Sequence, residues 1–280
     1  MPGVRIVTDS ASDLERSMCD ELGIAVVPLT IRFGDKEFVD GEELSVDEFY
    51  RRLAESPTLP ETAAPAPGAF EATFRRLADD GAEAIVCVTL SSGVSATMDS
   101  ARNAAEAVAP EIDVRVADSR GVSVSEGNKV IAAARAARDG RSADEIVALV
   151  ADLAGRTRTF GVLDTLDNLK KGGRIGNAQA LLGTLLSIKP IIDISSGKVE
   201  EAGRTRTRRK ALDALAAKVL EHPTVDDLAV MHGQAPDLDD FLALLAPRYE
   251  RDDVRLGVIG PVVGTHAGPR VMGVSFHLPN

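Results

Sequence analysis

Two stretches set far apart in this chain place small polar side chains on glycine-punctuated backbone beside apolar runs. They are Leu90-Ser91-Ser92-Gly93-Val94-Ser95-Ala96-Thr97 and Gly264-Thr265-His266-Ala267-Gly268-Pro269. The first follows the apolar run Ala84 to Thr89, so its hydroxyls fall where a strand ends and a helix begins. Unpaired helix N–H groups at such a junction favour a carboxylate or phosphate. Together the two stretches read as halves of one anion-holding site, for which the hydroxyls of the first, Ser92 among them, and His266 of the second are the candidate donors. His266 stands between a threonine and glycines rather than on an apolar face, which favours a ligand-facing role over a core histidine.

Other residues carry groups suited to the same anion. Thr62 lies in the proline-rich Ser56 to Gly68 segment, where a turn residue bonding its own backbone is the alternative reading. For Ser92 the alternative is a helix N-cap. Arg174 follows Gly172-Gly173, which permit sharp turning and close approach to an anion; otherwise it is an exposed arginine near a helix end. The run Arg204-Thr-Arg-Thr-Arg-Arg-Lys210 is the one dense basic cluster. Asp9, Ser10 and Asp118 sit at predicted strand ends, where an open sheet places ligands or caps the next helix.

The elements that must position these residues follow from hydropathy and capping signals. Short β-branched runs alternate with helical patterns, as in a parallel α/β sheet. Strands are predicted at Val4 to Thr8, Ala25 to Ile31, Ala84 to Thr89 and Val114 to Ala117. Ser12 with Glu15, Ser45 with Glu48 and Ser142 with Glu145 each read as a capping box, and Pro67 suits a first helical turn. Helices are expected over Gly68 to Leu77, Val94 to Val108, Val130 to Ala137 and onward from Ser142 to about Ala154. Beyond Gly155 come strand Phe160 to Leu163, helix Leu166 to Lys170, an apolar helix Ala178 to Leu186 and strand Pro190 to Ile194. A helix around Ala211 to Leu220, strand Leu228 to Met231, a helix Leu238 to Leu245 and strands near Leu256 and Val274 complete the pattern. The fold class expected is therefore α/β in two domains. Residues 1–155 form an N-terminal parallel-sheet, Rossmann-like domain, and 156–280 a C-terminal α/β domain with a mixed sheet, with the ligand at their boundary.

A formal net charge of −11 over 280 residues argues against an extended nucleic-acid surface, which needs a clustered basic face. Cys19 and Cys87 form no ligand cluster, and the four histidines show no metal-ligand spacing, so no metal is expected. The N-terminus Met1-Pro-Gly-Val-Arg-Ile has no long apolar region, and no run approaches the ~20 apolar residues of a spanning helix. A soluble, cytoplasmic protein without an integral membrane segment is the expectation. There is no Gly-x-x-x-x-Gly-Lys-Ser/Thr phosphate loop and no Gly-x-Gly-x-x-Gly turn after the first strand, which disfavours an independent kinase or dehydrogenase.

A set of motifs in a fixed order resembles the DegV family of bacterial fatty-acid-binding proteins. They are Thr8-Asp-Ser-Ala-Ser-Asp-Leu14, Thr62-Ala-Ala-Pro-Ala-Pro-Gly68, Leu90 to Ala101, Asp118-Ser119, Leu169-Lys-Lys-Gly-Gly-Arg-Ile-Gly176, Lys189-Pro190 and Gly260 to Pro269. The resemblance implies a cleft holding one long-chain fatty acid, its tail in an apolar tunnel and its carboxyl held by Thr62, Ser95, the Ala96 amide and His266. It further implies a non-catalytic, acyl-carrying subunit of a fatty-acid kinase, whose separate ATP-binding subunit phosphorylates the bound acid. On that reading there is no cofactor beyond the acyl ligand, and Arg206 is a candidate for phosphate handling or for docking the kinase. At ~0.8 kcal/mol per buried methylene, the tail supplies most of the binding and the donors chiefly orient the head. An enzyme acting on a phosphorylated metabolite, with Arg174 and the Arg206 cluster as anion clamp, is the alternative.

Three departures from the family pattern stand out. The usual Thr-Ser-x-Pro-Ser is Thr62-Ala-Ala-Pro-Ala, Ala96 replaces a glycine, and Arg270 replaces a glycine after Pro269.

Overall fold

In a computed structural model, which describes residues 3–181 and 188–279, apolar residues alternate along central strands such as Ile85-Val86-Cys87-Val88 so that these feed two cores. The first part of the chain runs β1 (Val4–Asp9), α1 (Arg16–Leu22), β2 (Ile24–Val27), β3 (Thr30–Phe33), β4 (Lys36–Val39), α2 (Val46–Glu55), β5 (Glu61–Ala63) and α3 (Pro67–Asp79). It continues through β6 (Ala84–Thr89), α4 (Thr97–Val108), β7 (Asp113–Asp118), α5 (Val124–Arg138) and α6 (Ala143–Arg156). The order β2-β1-β6-β7 makes a four-stranded sheet, parallel throughout. Ile85 and Cys87 of β6 face Phe70 and Phe74 of α3 and Ala101 and Ala104 of α4. Their neighbours Val86 and Val88 face Val130 of α5 and Ile146 and Val150 of α6.

The remainder runs β8 (Thr157–Val162), α7 (Asp167–Lys171), β9 (Lys189–Asp193), β10 (Glu200–Thr205), α8 (Arg208–Leu220), β11 (Asp226–His232), α9 (Leu238–Leu245), β12 (Arg255–Val258), α10 (Pro261–Ala267) and β13 (Met272–His277). These strands form a separate six-stranded mixed sheet, β10-β9-β8-β13-β11-β12, in which only β11 and β12 are parallel. One face packs Phe160, Val230, Val274 and Phe276 against α8 and α9. The other turns Ile192, Ala229 and Met231 toward Val124 of α5 and Leu169 of α7.

A third, antiparallel sheet, β4-β3-β5, lies over both. Its core joins Ile31 and Phe38 to Phe49 and Tyr50 of α2 and to Val262 of α10, and the Tyr50 hydroxyl donates to Ile259 O at 3.0 Å. Each fully buried phenylalanine contributes ~1.5–3 kcal/mol over exposure, so this small sheet is held firmly against α10.

Local signals mark several ends correctly. Ser45 caps α2, Ser142 and Glu145 close a capping box on α6, and Pro67 opens α3. Four readings are corrected. Ser12 turns inward and donates to Asp9 O at 2.8 Å, leaving α1 to start after Glu15 with no side-chain cap. The single strand Ala25 to Ile31 is broken at Pro28, which has no N–H for a ladder, into β2 and β3. The helix expected from Val94 begins only at Thr97, because Ser91 to Val94 form a turn. The helix expected over Ala178 to Leu186 is a 3₁₀ segment over Gly176–Leu181, and its remainder lies outside the described residues.

Candidate functional site

Between the two large sheets lies a cleft of about 820 Å³ of empty space, its open mouth included. Leu29, Leu90, Val122, Leu169, Ile192 and Val262 give it aliphatic walls, drawn from both halves of the chain. The same lining carries the polar side chains of Thr62, Ser95, Arg174 and His266 and the backbone of Ala96.

Thr62 is not in a turn. It sits on β5 opposite Ile31 of β3, and that pairing aims its hydroxyl across the cleft. Thr62 Oγ1 and His266 Nε2 lie 2.9 Å apart. His266 occupies the last turn of α10, a helix not foreseen in the sequence. Burial, and secondarily the charge of Arg174, push its imidazole down to about 4, so the ring is neutral at physiological pH. Its Nδ1 is buried and has no hydrogen-bond partner among the described residues.

Ser95 and Ala96 stand at the start of α4. Ser95 Oγ is 2.9 Å from Thr97 Oγ1 and accepts from Thr97 N at 3.2 Å. Ala96 is the N-cap residue, with φ −84° and no side-chain cap bond. That conformation suits any L-residue, so the alanine found in place of the family glycine imposes no backbone strain. Among the described residues the Ala96 N–H has no acceptor, leaving a donor for an anion at the helix start.

Arg174 is anchored by backbone: its Nε donates to Val94 O at 3.2 Å and its Nη1 to Gly172 O at 2.8 Å. Gly173, with φ +69°, makes the left-handed turn that brings it there. Val94, Ser95, Ala96, Arg174 and Val199 form a wall shared with a second, more polar chamber. Ser92 and Lys198 line that chamber and not the apolar cleft.

Ser92 is not an N-cap, since α4 starts later. It is exposed, and its hydroxyl donates to Asp118 at 2.5 Å, as its N–H does at 3.3 Å. Arg206 is exposed in the turn between β10 and α8 and lines neither chamber. The basic run is in fact divided: Arg208 forms a two-pronged pair with Asp237 at 2.8 and 2.9 Å, and Arg209 reaches Asp213. Arg174 and Arg206 therefore do not assemble into one clamp. Arg270, left-handed at φ +61°, points to Asp164 at 3.5 Å and does not line the cleft.

Asp9 is a tie inside the fold. It accepts from Ala11 N and Leu90 N at 3.0 and 2.9 Å, fastening the Leu90 loop to the end of β1. Burial raises its carboxyl to about 7 against those hydrogen bonds. Asn168, whose Nδ2 donates to Thr265 O at 3.0 Å, and Gly172 support α10 from α7. Asn168 was not foreseen, and Gly172 was legible only as a turn-former, because their importance lies in contact with a residue nearly 100 positions away. Among the described residues no helix is long and apolar enough to cross a membrane, and no three His, Cys, Asp or Glu side chains are placed to hold a metal ion.

This order of motifs, sheets and cleft can be set against known proteins. A family model described as "Uncharacterised protein, DegV family" matches residues 3–278. The chain belongs to the DegV family. A DegV domain-containing protein of Streptomyces coelicolor is 38% identical over 279 residues, covering 97% of each chain. Among solved structures, a fatty-acid-binding DegV family protein from Streptococcus agalactiae superposes with a TM-score of 0.91 at 27% identity, covering 100% of both chains. A DegV family protein from Thermus thermophilus, described by its fatty-acid binding, gives 0.88 at 29% identity, covering 99% of this chain and 100% of that one. The DegV architecture of a parallel four-stranded sheet beside a mixed sheet is thus that of this chain.

Proposed function

We propose that this DegV chain binds one long-chain fatty acid, tail in the apolar cleft and carboxylate against Thr62, Ser95, the Ala96 N–H, His266 and Arg174. The observation that carries this reading is the meeting of Thr62 and His266 in the lining of an otherwise aliphatic cleft. An apolar cleft with a few convergent polar groups suits a long tail with one polar head. The solved relatives described as fatty-acid-binding support the same ligand class.

In this reading residues 1–155 and 156–280 are two domains, and the ligand lies at their boundary. Ser95 and Ala96 come from the first and Arg174 and His266 from the second, so the carboxylate bridges them. The protein is a carrier and not a catalyst: it presents the carboxylate to a separate cytoplasmic kinase subunit, which forms the acyl phosphate. Arg206 lies outside the apolar cleft, where contact with the phosphate donor or the kinase is its role; Ser92, expected at the ligand, also lies outside it, tied to Asp118.

The test is native mass spectrometry of the purified chain before and after delipidation and palmitate addition. A one-to-one adduct is expected. No co-purified acyl ligand together with no adduct on addition would rule the reading out. Incubation with ATP and a candidate kinase subunit, followed by hydroxylamine trapping of acyl phosphate, tests the partner role.

A further inference from the structure

Gly172 ends α7 against the ring of His266. An ideal Cβ built on Gly172 comes 2.3 Å from His266 Nδ1 and 2.9 Å from Cε1. The Cα–H bond that such a Cβ would replace is therefore aimed at Nδ1. The backbone of Gly172 does not itself require glycine, since φ is −78° and ψ −2°. What excludes a side chain at this position is the imidazole and, at 3.1 Å, Asn168 O.

We propose that Gly172 is a positioning residue that fixes His266 as the Nε2–H tautomer, so that His266 donates to Thr62 Oγ1 and the Thr62 O–H is directed onto the ligand carboxylate. The last step rests on the fatty-acid reading; the tautomer does not. The ring is neutral, so one nitrogen carries the single ring N–H. A hydrogen on Nδ1 would crowd the Gly172 Cα–H, in a buried position with no acceptor among the described residues. A buried donor left unpaired in this way is destabilising. A bare Nδ1 instead receives the Cα–H as a weak favourable contact. The proton then lies on Nε2, 2.9 Å from Thr62 Oγ1. A hydroxyl oxygen that accepts from an imidazole N–H keeps its own hydrogen free for another acceptor. The reverse tautomer would consume the Thr62 hydrogen on Nε2 and turn the oxygen lone pairs toward the anion. The ring nitrogen without a useful partner thus decides which way the hydroxyl faces.

The experiment is long-range ¹H–¹⁵N correlation on the full-length protein, with and without palmitate, the His266 signals being assigned by their loss in His266→Gln. Protonated Nε2 and bare Nδ1 are expected in both states. A proton on Nδ1 overturns the proposal. In parallel, Gly172→Ala, checked for folding by circular dichroism, is expected to bind palmitate roughly tenfold to hundredfold more weakly and to lose the single-tautomer pattern. Added to Thr62→Val it should cost nothing further, since the relay is already cut, whereas a merely structural role would add. Unchanged affinity and unchanged His266 signals in Gly172→Ala overturn the role of Gly172. If the wild-type chain binds no palmitate, the fatty-acid reading fails while the tautomer measured on the free protein still decides the proposal.

Discussion

Thr62 on β5 and His266 on α10 are 204 positions apart in the chain and 2.9 Å apart in space. Their contact closes one side of the cleft, and Arg174, Ser95 and Ala96 complete the polar wall.

Removing the Thr62 hydroxyl while keeping its β-branched shape tests the head-group contact. Thr62→Val should weaken palmitate binding roughly tenfold to hundredfold, the usual value of a hydrogen bond to a charged group. Thr62→Ser should retain most of the affinity. Isothermal titration of delipidated protein measures both, and equal affinity for wild type and Thr62→Val would remove Thr62 from the site.

The basic run should divide into separate roles. Arg208→Ala breaks the two-pronged pair with Asp237, whose carboxyl the Arg208 hydrogen bond holds below its ordinary value. It should cost roughly 1–3 kcal/mol of stability, read as a lower urea midpoint. Arg206→Ala, at an exposed turn, should leave both stability and palmitate affinity unchanged and lower only acyl-phosphate formation with the proposed kinase subunit. A loss of palmitate affinity in Arg206→Ala would contradict its placement.

Gly197 connects the two halves at close range. With φ +85°, it offers its carbonyl to the Ser91 hydroxyl at 2.6 Å, and a Cβ there would come 2.6 Å from that same oxygen. Gly197→Ala should therefore destabilise by roughly 1–3 kcal/mol. It should also weaken palmitate binding, because Val199, two residues on, lines the cleft. Thermal melts with and without palmitate would show both effects, and an unshifted melt would refute the first.

The buried histidines should contribute less to stability in acid. Burial lowers both His266 and His277 to about 4, below the ~6.5 of an exposed imidazole. Between those values the unfolded chain binds protons that the folded one does not, so their contribution to stability falls as pH drops from about 6.5 to 4. Above that window it is constant. His277→Gln should flatten the stability profile from pH 6.5 to 4; an unchanged slope would show that His277 titrates normally.

Asp13 acts in the opposite direction. Burial raises its carboxyl to about 8, against the Gly260 N–H, while the unfolded value is near 3.8. The folded chain then holds a proton that the unfolded one has released, so stability is full below about 3.8 and declines as pH rises toward 8. Asp13→Asn should be more stable than wild type at pH 8 and nearly equal to it at pH 4. Measuring the difference between the two proteins removes the contribution of Lys129, whose burial moves its ammonium down to about 7. Equal melting differences at both pH values would contradict the raised Asp13.

By itself, the sequence determined the α/β class, most strand positions and the short-range ends of helices. A capping serine such as Ser45 or Ser142, or a proline such as Pro67, acts within one turn of backbone, and hydropathic alternation such as Ile85-Val86-Cys87-Val88 decides locally which face is buried. Ordered motifs also pointed to Thr62, Ser95, Ala96 and His266. Tertiary structure alone decided how these meet. The pairing of β5 with β3 turned Thr62 from a loop residue into a strand donor, and α10 carried His266 to it. The same packing turned Ser12 inward, tied Ser92 to Asp118 and spent Arg208 on Asp237. It also made Gly172 matter, through its contact with a ring 94 positions away. Hydrogen bonds and close contacts depend on distances in space, and at large separations those are set by how sheets and helices pack, which no local pattern of residues records.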